Sequence, residues 1–258
     1  MGPDADPEIW TEPEDRPSID GLPEGTQRPR VQALLRYAWE WGRSLALAVL
    51  LFILVRSMGV EAFKIPTGSM EGTLLVGDFL LVNKAIYGPR LPGTDIRLPP
   101  LAEPERGEVI VFNPPHEPEK NYVKRVVGLP GDTLFMKDKL LFVNGAEVAE
   151  PYARHIDAVG DAVHPDMDWQ ANHLIASQPG RYHPSRDSWG PLVVPKESFF
   201  VLGDNRDNSE DSRYWGFVER DRLRGRPWIV YYSANRWGLG DSGWLESVRW
   251  DRLGRRIR

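Results

Sequence analysis

The sequence predicts a mainly β protein built from twisted antiparallel sheets that follow one N-terminal helix. Three observations lead to this fold class. Short β-rich runs recur beyond residue 60, with Gly or Pro between them. The 258 residues include 23 Pro and 10 Trp, which favours a loop-rich β protein over a helical bundle. A single unbroken apolar run of 11 residues, 45–55, lies near the N-terminus.

The composition excludes several classes of protein. With 41% hydrophobic and 27% charged residues the chain has an ordinary globular mixture, which argues against bulk disorder, collagen and a many-span transporter. Cysteine is absent, so disulfides, thiolate metal sites and cysteine nucleophiles are excluded. A net charge of -5 argues against a nucleic-acid binder.

Residues 1–27 predict a disordered acidic tail. Eight Asp and Glu face a single basic residue, Arg16, and five prolines are scattered among them. Such a segment cannot bury enough apolar area to offset its chain entropy.

Residues 28–60 predict a basic juxtamembrane segment and a transmembrane anchor helix. The apolar run is shorter than the ~20 residues that span a bilayer, but Tyr37, Trp39 and Trp41 extend it towards that length. Most arginines precede the run, which predicts a cytoplasmic N-terminus and a single pass. The same run is also compatible with a buried soluble helix or a cleavable signal peptide. The long acidic segment before it favours an uncleaved anchor.

The rest of the chain, 61–258, predicts a β domain. Strand-like runs occupy 79–82, 108–112, 122–127, 140–148, 198–202 and 228–232. Asn144-Gly145 divides its run into two, a strong hairpin signal. Residues 151–190 hold four of the five histidines and predict a surface insertion. The basic segment 249–258, with apolar residues between its arginines, suggests contact with anionic lipid or a solvated tail.

Two motifs that suggest other chemistry are weak. The stretch 207–218 resembles a calcium loop only faintly, because Ser212 and Val218 replace its required Gly and Glu. Gly240–Gly243 (GDSG) resembles a serine-protease motif, but Trp244 follows where Gly belongs and few residues remain to complete a barrel. The histidines lack metalloprotease spacing, so we expect neither a metal nor another cofactor.

Two residues suggest nucleophilic catalysis instead. Pro66 and Gly68 flank a turn that would present the hydroxyl of Ser69. Lys124 lies within an apolar β run, where Tyr122 and Val126 share its face. Burial would lower the pKa of this lysine, and a neutral amine can take a proton from serine. Spacing alone also allows Lys124 to point to solvent and Ser69 to be a simple turn residue.

A third block, 203–216, follows an apolar strand and is dense in Asp, Asn, Ser and Arg. It predicts either a solvated loop or a hydrogen-bonded platform that orients an amine. Together with 65–70 (IPTGSM), 106–112 (RGEVIVF) and 122–132 (YVKRVVGLPGD), this block resembles the bacterial type I signal peptidases, which are membrane-anchored Ser/Lys proteases. The resemblance covers roughly residues 37–235.

The resemblance implies the site residues. It makes Ser69 the nucleophile and Lys124 the general base, with the oxyanion held by the Ser69 N–H and the Thr67 hydroxyl. Ser209 would hydrogen-bond the lysine, with further support from Asp204 and an Asp211–Arg213 salt bridge. Apolar pockets would accept small side chains, and their lining would be Phe63, Ile65, Pro66, Met70, Leu74, Tyr122 and Val123. Two departures are Thr67, where many members carry Ser, and Gly72, where many carry Pro.

By the same resemblance, the protein would remove N-terminal signal peptides from exported preproteins by cutting after Ala-x-Ala. Its partners would be preproteins emerging from the export machinery and the lipid bilayer, with no nucleic acid and no metal. It would lie in the cell membrane, plasma or inner, with its catalytic domain on the outer face. The fold implied is a β core of the signal-peptidase type with an inserted subdomain at about 137–195.

Two alternatives follow from the same residues. One is another Ser/Lys protease of related β fold, of the self-cleaving repressor type, which would need a DNA-binding domain. The other is a non-catalytic membrane-anchored β protein. Such a protein should have lost Ser69, Lys124 or the block at 203–216, and all three are present.

Overall fold

The computed structural model of the chain describes residues 28–89, 94, 96–158, 162–175, 182–235 and 247–257. The acidic segment 1–27 and the Gly240–Gly243 motif lie outside them, so what the sequence predicts there remains a prediction. A division after Leu51 separates two compact units, which are described in turn.

A helix of 31 residues, α1, covers Arg28–Met58. Leu, Ala and Arg dominate this segment, and all three have high helix propensity. The side chains between residues 34 and 53 are exposed. Over the described part of the chain, we find no helix that combines the length and the apolarity needed to cross a membrane.

Seven strands form one antiparallel sheet, which confirms the predicted fold class. Its spatial order is β1-β2-β11-β3-β4-β9-β10. The strands are β1 (Val60–Lys64), β2 (Asp78–Asn83), β3 (Val109–Phe112), β4 (Tyr122–Gly128), β9 (Ser198–Leu202), β10 (Val218–Glu219) and β11 (Leu223–Ser233). The register of β11 against β2 shifts twice, at Pro227/Ile229 and at Val230/Tyr232, which bends this long strand.

A smaller antiparallel sheet has the order β7-β6-β5-β8. It consists of β5 (Thr133–Lys137), β6 (Leu140–Val143), β7 (Ala146–Glu147) and β8 (Trp189–Val193). Asn144 and Gly145 both have positive φ, 51° and 83°, as the predicted tight hairpin between β6 and β7 requires. The sheet begins at Thr133, four residues before the subdomain predicted from the sequence.

Short helical turns complete the fold. They comprise α2 (Ser212–Trp215) and 3₁₀ turns at Ala85–Tyr87, Pro165–His173, Arg206–Asn208, Arg220–Arg222 and Trp250–Arg252. The turn at Pro165–His173 lies within the predicted insertion. It packs Met167, fully buried, into the core beside the smaller sheet.

Three apolar clusters fill the interior. One joins the smaller sheet to Phe200 and Leu202 of β9. A second lies under the loop that carries Ser69 and includes Ile65, Met70 and Leu74. The third lies around Ile110 of β3 and its neighbours on β4 and β9. Because β4 and β9 border both the first and the third cluster, their side chains are covered on both faces of the sheet.

The described C-terminal residues, 247–257, are attached to the core by three buried side chains. Val248, Arg252 and Ile257 are buried, and Ile257 belongs to the cluster under the Ser69 loop. Arg252 forms an ion pair with buried Asp78. These residues therefore do not form a free tail, although five of them are exposed, because Arg252 pairs with a carboxylate 174 positions earlier in the chain.

Candidate active site

An open groove of about 740 Å³ brings the predicted chemistry together. Three segments border it: the end of β1 with the loop that follows, the start of β4, and the loop after β9. Its lining consists of Phe63, Lys64, Ile65, Pro66, Thr67, Ser69, Met70, Lys120, Asn121, Tyr122, Val123, Lys124, Asp207, Asn208, Ser209 and Glu210. Ser69 and Lys124, 55 positions apart in the chain, thus face one space.

Ser69 lies in a loop between β1 and β2 that is closed at its base by backbone bonds. Ile65 N–H donates to the Asp78 carbonyl at 2.8 Å, and Gly77 N–H donates to the Ile65 carbonyl at 3.0 Å. One helical turn follows Ser69, with Leu74 N–H donating to the Met70 carbonyl at 2.8 Å. Ser69 itself is only partly buried, so its hydroxyl reaches the groove from a fixed backbone.

Lys124 is buried, with 3% of its surface exposed. It lies on β4, where it pairs with Ile110 of β3, and its Nζ is 5.9 Å from the centre of the Tyr122 ring. Burial lowers the pKa of Lys124 to about 8, although the Asp211 carboxylate opposes this shift. The alternative in which Lys124 points to solvent is therefore wrong.

The Asp211–Arg213 pair supports the site from inside the protein. Arg213 Nε and Nη2 each donate to the Asp211 carboxylate at 2.8 Å, and both side chains are fully buried. Burial alone would raise the pKa of Asp211, but Arg213 and then Lys124 hold it below its usual value. Asp211 favours the charged form of Lys124, but burial and the repulsion from Arg213 favour the neutral form, and the pKa is lowered on balance.

Gly203 lets the two loops of the site approach each other closely. A Cβ added to it would lie 2.2 Å from Ser209 Oγ and 2.5 Å from the Ser69 carbonyl oxygen. Ser209 Oγ is buried and has no hydrogen-bond partner among the described residues. The hydrogen bond expected from Ser209 to Lys124 is therefore not formed, although both residues line the groove.

Asp204 is buried in a second ion pair, which the sequence reasoning did not assign. Arg125 Nε and Nη2 donate to its two carboxylate oxygens at 2.8 and 2.6 Å. Thr73 Oγ1 donates to the same carboxylate at 2.5 Å, and the Arg125 guanidinium lies 3.9 Å from the Tyr152 ring. This pair joins β4 to the loop after β9 and to the turn after Ser69.

The structure brings most of the predicted pocket residues to the groove. Thr67 lines it as an exposed residue, together with Phe63, Ile65, Pro66, Met70, Tyr122 and Val123. Leu74 is the exception: it is fully buried in the cluster behind Met70. The helical turn after Ser69 directs Leu74 away from the groove.

Two residues around the groove have contacts that the sequence reasoning missed. Glu117 accepts a hydrogen bond from the Tyr122 hydroxyl at 2.6 Å and so fixes that ring. Asn205 is fully buried and contacts the backbone on both sides of Ser69. Asn205 belongs to the block 203–216 that the sequence analysis identified. Its contact with the loop of Ser69 was not predictable, because the two residues are 136 positions apart in the chain.

The acidic residues of the loop after β9 are satisfied by protein donors. Asp207 accepts hydrogen bonds from Ile156 N–H and Asp157 N–H at 2.6 and 2.8 Å and lies 3.4 Å from Arg186 Nε. Over the residues whose placement is described, we find no group of His, Asp and Glu arranged to hold a metal ion.

The chain is similar to known proteins over most of its length. A family model described as signal peptidase, peptidase S26, matches residues 38–232. A signal peptidase I of Pseudomonas aeruginosa is 47% identical over 208 residues, which cover 75% of this chain and 72% of the relative. Signal peptidase I T of Bacillus subtilis is 35% identical over 198 residues, covering 76% of this chain and 86% of the relative.

Among solved structures, a signal peptidase I of Enterococcus faecalis V583 is 29% identical, with a TM-score of 0.34. It matches 48% of this chain and 97% of its own. The assignment rests on the family model, which spans well over half of the residues, and on the sequence relatives. On these grounds the chain belongs to the signal peptidase family of peptidases, S26.

Proposed function

We propose that this serine peptidase removes N-terminal signal peptides from exported preproteins by means of Ser69 as nucleophile and Lys124 as general base. The observation that carries the proposal is the buried amine of Lys124, whose pKa is lowered to about 8, in the same groove as Ser69. A lysine at its ordinary pKa would be almost entirely protonated at neutral pH and could not act as a base.

The first half of the reaction forms an acyl-enzyme. Neutral Lys124 takes the proton from Ser69 Oγ as that oxygen bonds to the scissile carbonyl carbon. The carbonyl π electrons move to its oxygen, and the Ser69 N–H and Thr67 Oγ1 donate hydrogen bonds to the oxyanion. When the oxyanion collapses, the C–N bond breaks and the Lys124 ammonium gives its proton to the leaving amine of the mature protein.

The second half releases the signal peptide. Lys124, neutral again, takes a proton from a water molecule that attacks the ester carbon. The second oxyanion then collapses, and Ser69 Oγ leaves with the proton carried by Lys124. Ser209 is proposed to orient the amine during these transfers. Its buried hydroxyl, with no partner among the described residues, and its place beside Lys124 on the groove support this role.

The groove also supports a preference for small side chains. Its apolar lining includes Ile65 and Met70, which are buried and tightly packed, and Tyr122, whose ring is fixed by Glu117. Such walls reject bulky residues by steric clash, which accounts for cleavage after Ala-x-Ala. Leu74 acts indirectly in this scheme, by supporting Met70 from behind.

We propose that the protein lies in the plasma or inner membrane, anchored by a single pass within residues 28–60, with the β domain, 61–258, on the outer face. The described helices do not by themselves support this pass, so the proposal rests on the sequence. The support comes from the arginines around the apolar run and from a substrate that arrives in a bilayer. The preprotein and the bilayer are the partners in this scheme. Fractionation tests the location: the full chain should pellet with membranes and resist extraction by carbonate, and recovery in the soluble fraction would contradict it.

The two alternatives are not favoured. The family match over residues 38–232 leaves no room within this span for the DNA-binding domain that a self-cleaving repressor needs. A protein that had lost catalysis would have no reason to keep a lysine amine buried beside a serine, because burial of an amine costs stability.

Cleavage of a preprotein whose leader ends in Ala-x-Ala tests the proposal. Detergent-solubilised wild type is compared with Ser69→Ala and Lys124→Met. We expect wild-type cleavage after the final Ala, a loss of at least about 10³-fold in kcat/KM in both variants, and no effect of EDTA.

Lys137→Met is a matched control, because Lys137 is exposed at the end of β5, outside the groove. It should cleave at the wild-type rate. Activity that survived in both Ser69→Ala and Lys124→Met would disprove the assignment of these residues.

A further inference from the structure

Asn205 is the buried residue that contacts the backbone on both sides of Ser69. It follows Asp204 in the loop after β9, and no part of it is exposed. Its N–H donates to the Ser69 carbonyl at 3.1 Å, and its side-chain Nδ2 donates to the Gly68 carbonyl at 3.3 Å. The two carbonyl groups that flank Ser69 are therefore held by one residue.

The contact with Gly68 acts on the N–H of Ser69. The Gly68 carbonyl and the Ser69 N–H belong to one planar peptide group, so fixing the carbonyl fixes the direction of the N–H. A hydrogen bond to a peptide carbonyl also polarises the group and makes its N–H a stronger donor. This N–H is the backbone donor proposed above for the oxyanion.

The orientation of the Asn205 amide is set by its surroundings. Nδ2 also lies 3.5 Å from the Glu71 carboxylate, so turning the amide over would direct its oxygen at two acceptors. In the orientation observed, Oδ1 is buried and has no partner within the described residues. An unpaired buried acceptor costs free energy. The two contacts of Nδ2 offset this cost for Oδ1.

We propose that Asn205 is a positioning residue of the oxyanion hole, which orients and polarises the Gly68–Ser69 peptide without touching the substrate. This inference rests on the proposed function. It adds Asn205, whose side chain acts on the transition state indirectly, through the N–H of Ser69. Removing its amide should lower kcat and leave substrate binding nearly unchanged.

Two variants test the proposal. Asn205→Asp keeps the shape but replaces the donor by a carboxylate beside Gly68 and Glu71, and Asn205→Ala removes the donor without adding charge. We expect kcat to fall about 10- to 100-fold in both, with the larger loss for Asp, and KM to change less than about 3-fold. Asn235→Asp, at an exposed residue after β11, is the matched control and should keep wild-type kcat.

A second measurement separates the oxyanion from general damage to the fold. Ser69 Oγ adds to the carbonyl carbon of a peptide aldehyde that ends in Ala. The aldehyde oxygen becomes the oxyanion, and the proton of the Ser69 hydroxyl goes to Lys124. Its affinity should fall by the same factor as kcat. An uncleavable peptide with Pro after the cut site should bind equally well to all variants.

The outcomes are distinct. Equal losses of affinity for the aldehyde and for the uncleavable peptide, or a kcat within 2-fold of wild type in both variants, would overturn the role of Asn205. The rise of kcat with pH should keep its midpoint, which shows that Lys124 is unaffected; a moved midpoint would also overturn it. Failure of the proposed function itself would appear separately, as undiminished cleavage by Ser69→Ala.

Discussion

Lys124 is an amine held in the interior of a sheet, where β3 and β9 flank its strand. Only 3% of its surface is exposed, and the Arg213 guanidinium repels a second positive charge, although the Asp211 carboxylate opposes this. Both features favour the neutral form of the amine, which is the form that a general base needs. At the scale of the residue, the proposed chemistry depends on that one shift of pKa.

The pH dependence of cleavage follows from this shift. In the proposed mechanism the active form of Lys124 is neutral, and its pKa is about 8, so log(kcat/KM) should rise with a slope near 1 below pH 8 and level off above it. Initial rates on a peptide substrate between pH 6 and 10 measure the profile. A rate that kept rising up to pH 10, or one that was flat from pH 6, would contradict a lysine titrating near 8.

Gly203 is the residue at which the smallest substitution should have a large effect. In Gly203→Ala the added methyl group would overlap Ser209 Oγ and the Ser69 carbonyl, and one of these groups would have to move. We expect kcat/KM to fall by about 10²-fold or more, since small displacements of catalytic groups are costly. Gly42→Ala is the control, because its methyl group would have no neighbour within 4 Å. Wild-type activity in Gly203→Ala would show that the loops are not closely packed in solution.

At the scale of elements, three segments must be held together for the groove to exist. The Arg125–Asp204 pair provides one connection, between β4 and the loop after β9, and Thr73 extends it to the loop of Ser69. Both ionised side chains are almost completely buried. The pair is therefore sensitive to the loss of one partner and much less sensitive to the loss of both.

Asp204→Ala should therefore lower the stability of the fold. The uncompensated Arg125 charge would cost about 3–5 kcal/mol in the free energy of unfolding, measured by urea denaturation. A double variant, Arg125→Met with Asp204→Leu, should recover most of this loss because no unpaired charge remains. A loss below about 1 kcal/mol in Asp204→Ala would mean that water reaches Arg125.

At the scale of the whole molecule, the described C-terminal residues complete the site-bearing end of the sheet. Arg252 donates to both oxygens of Asp78 and to the Thr73 carbonyl at 3.1 Å. Arg249 donates to the Val76 carbonyl at 2.6 Å and to Ser233 Oγ at 2.8 Å. The segment 247–257 thus holds the turn that follows Ser69 from the side opposite the groove.

The ion pair between Arg252 and Asp78 predicts a stability effect that depends on pH. Burial alone would raise the pKa of Asp78, but Arg252, then Ser233 and the Leu75 N–H, lower it. A lowered pKa contributes stability above the unfolded value near 3.9, which is lost as the pH falls through the folded value. Arg252→Ala removes the main partner of the buried Asp78 charge and leaves Arg249, 3.7 Å away, as its remaining cation. It should therefore destabilise the fold at pH 7 by less than the about 3–5 kcal/mol that a fully unpaired buried charge costs.

The loss in Arg252→Ala should shrink as the pH falls, because protonation removes the buried charge of Asp78. Denaturation midpoints between pH 7 and pH 4 measure this change, and Arg255→Ala, at an exposed residue of the same segment, should match wild type throughout. A loss that stayed constant over this range would show that Asp78 does not carry the effect.

The sequence by itself determined the local structure and the chemistry that is available. The β6–β7 hairpin could be predicted because its turn signal is contained in two adjacent residues, Asn144 and Gly145. Most strands could be predicted from short β-rich runs between Gly and Pro. Four strands were not predicted. The strand β1 begins at the last residue of the predicted anchor, and β5 was not recognised although Pro130-Gly131 precedes it. The strand β8 contains Gly190 and Pro191, and β10 has only two residues. The motifs also indicated Ser69 and Lys124 as a pair.

Only the tertiary structure decided which of these groups are buried and which meet. Alternation along β4 predicts which side chains share a face, but it does not predict how deeply either face is buried. The burial of Lys124 depends on β3, β9 and the loop after β9. The contacts of Asn205 with Gly68, of Asp204 with Thr73 and of Arg252 with Asp78 join residues more than 130 positions apart. Local propensity carries no information about such contacts, because they form only when distant segments pack around a common core and exclude water.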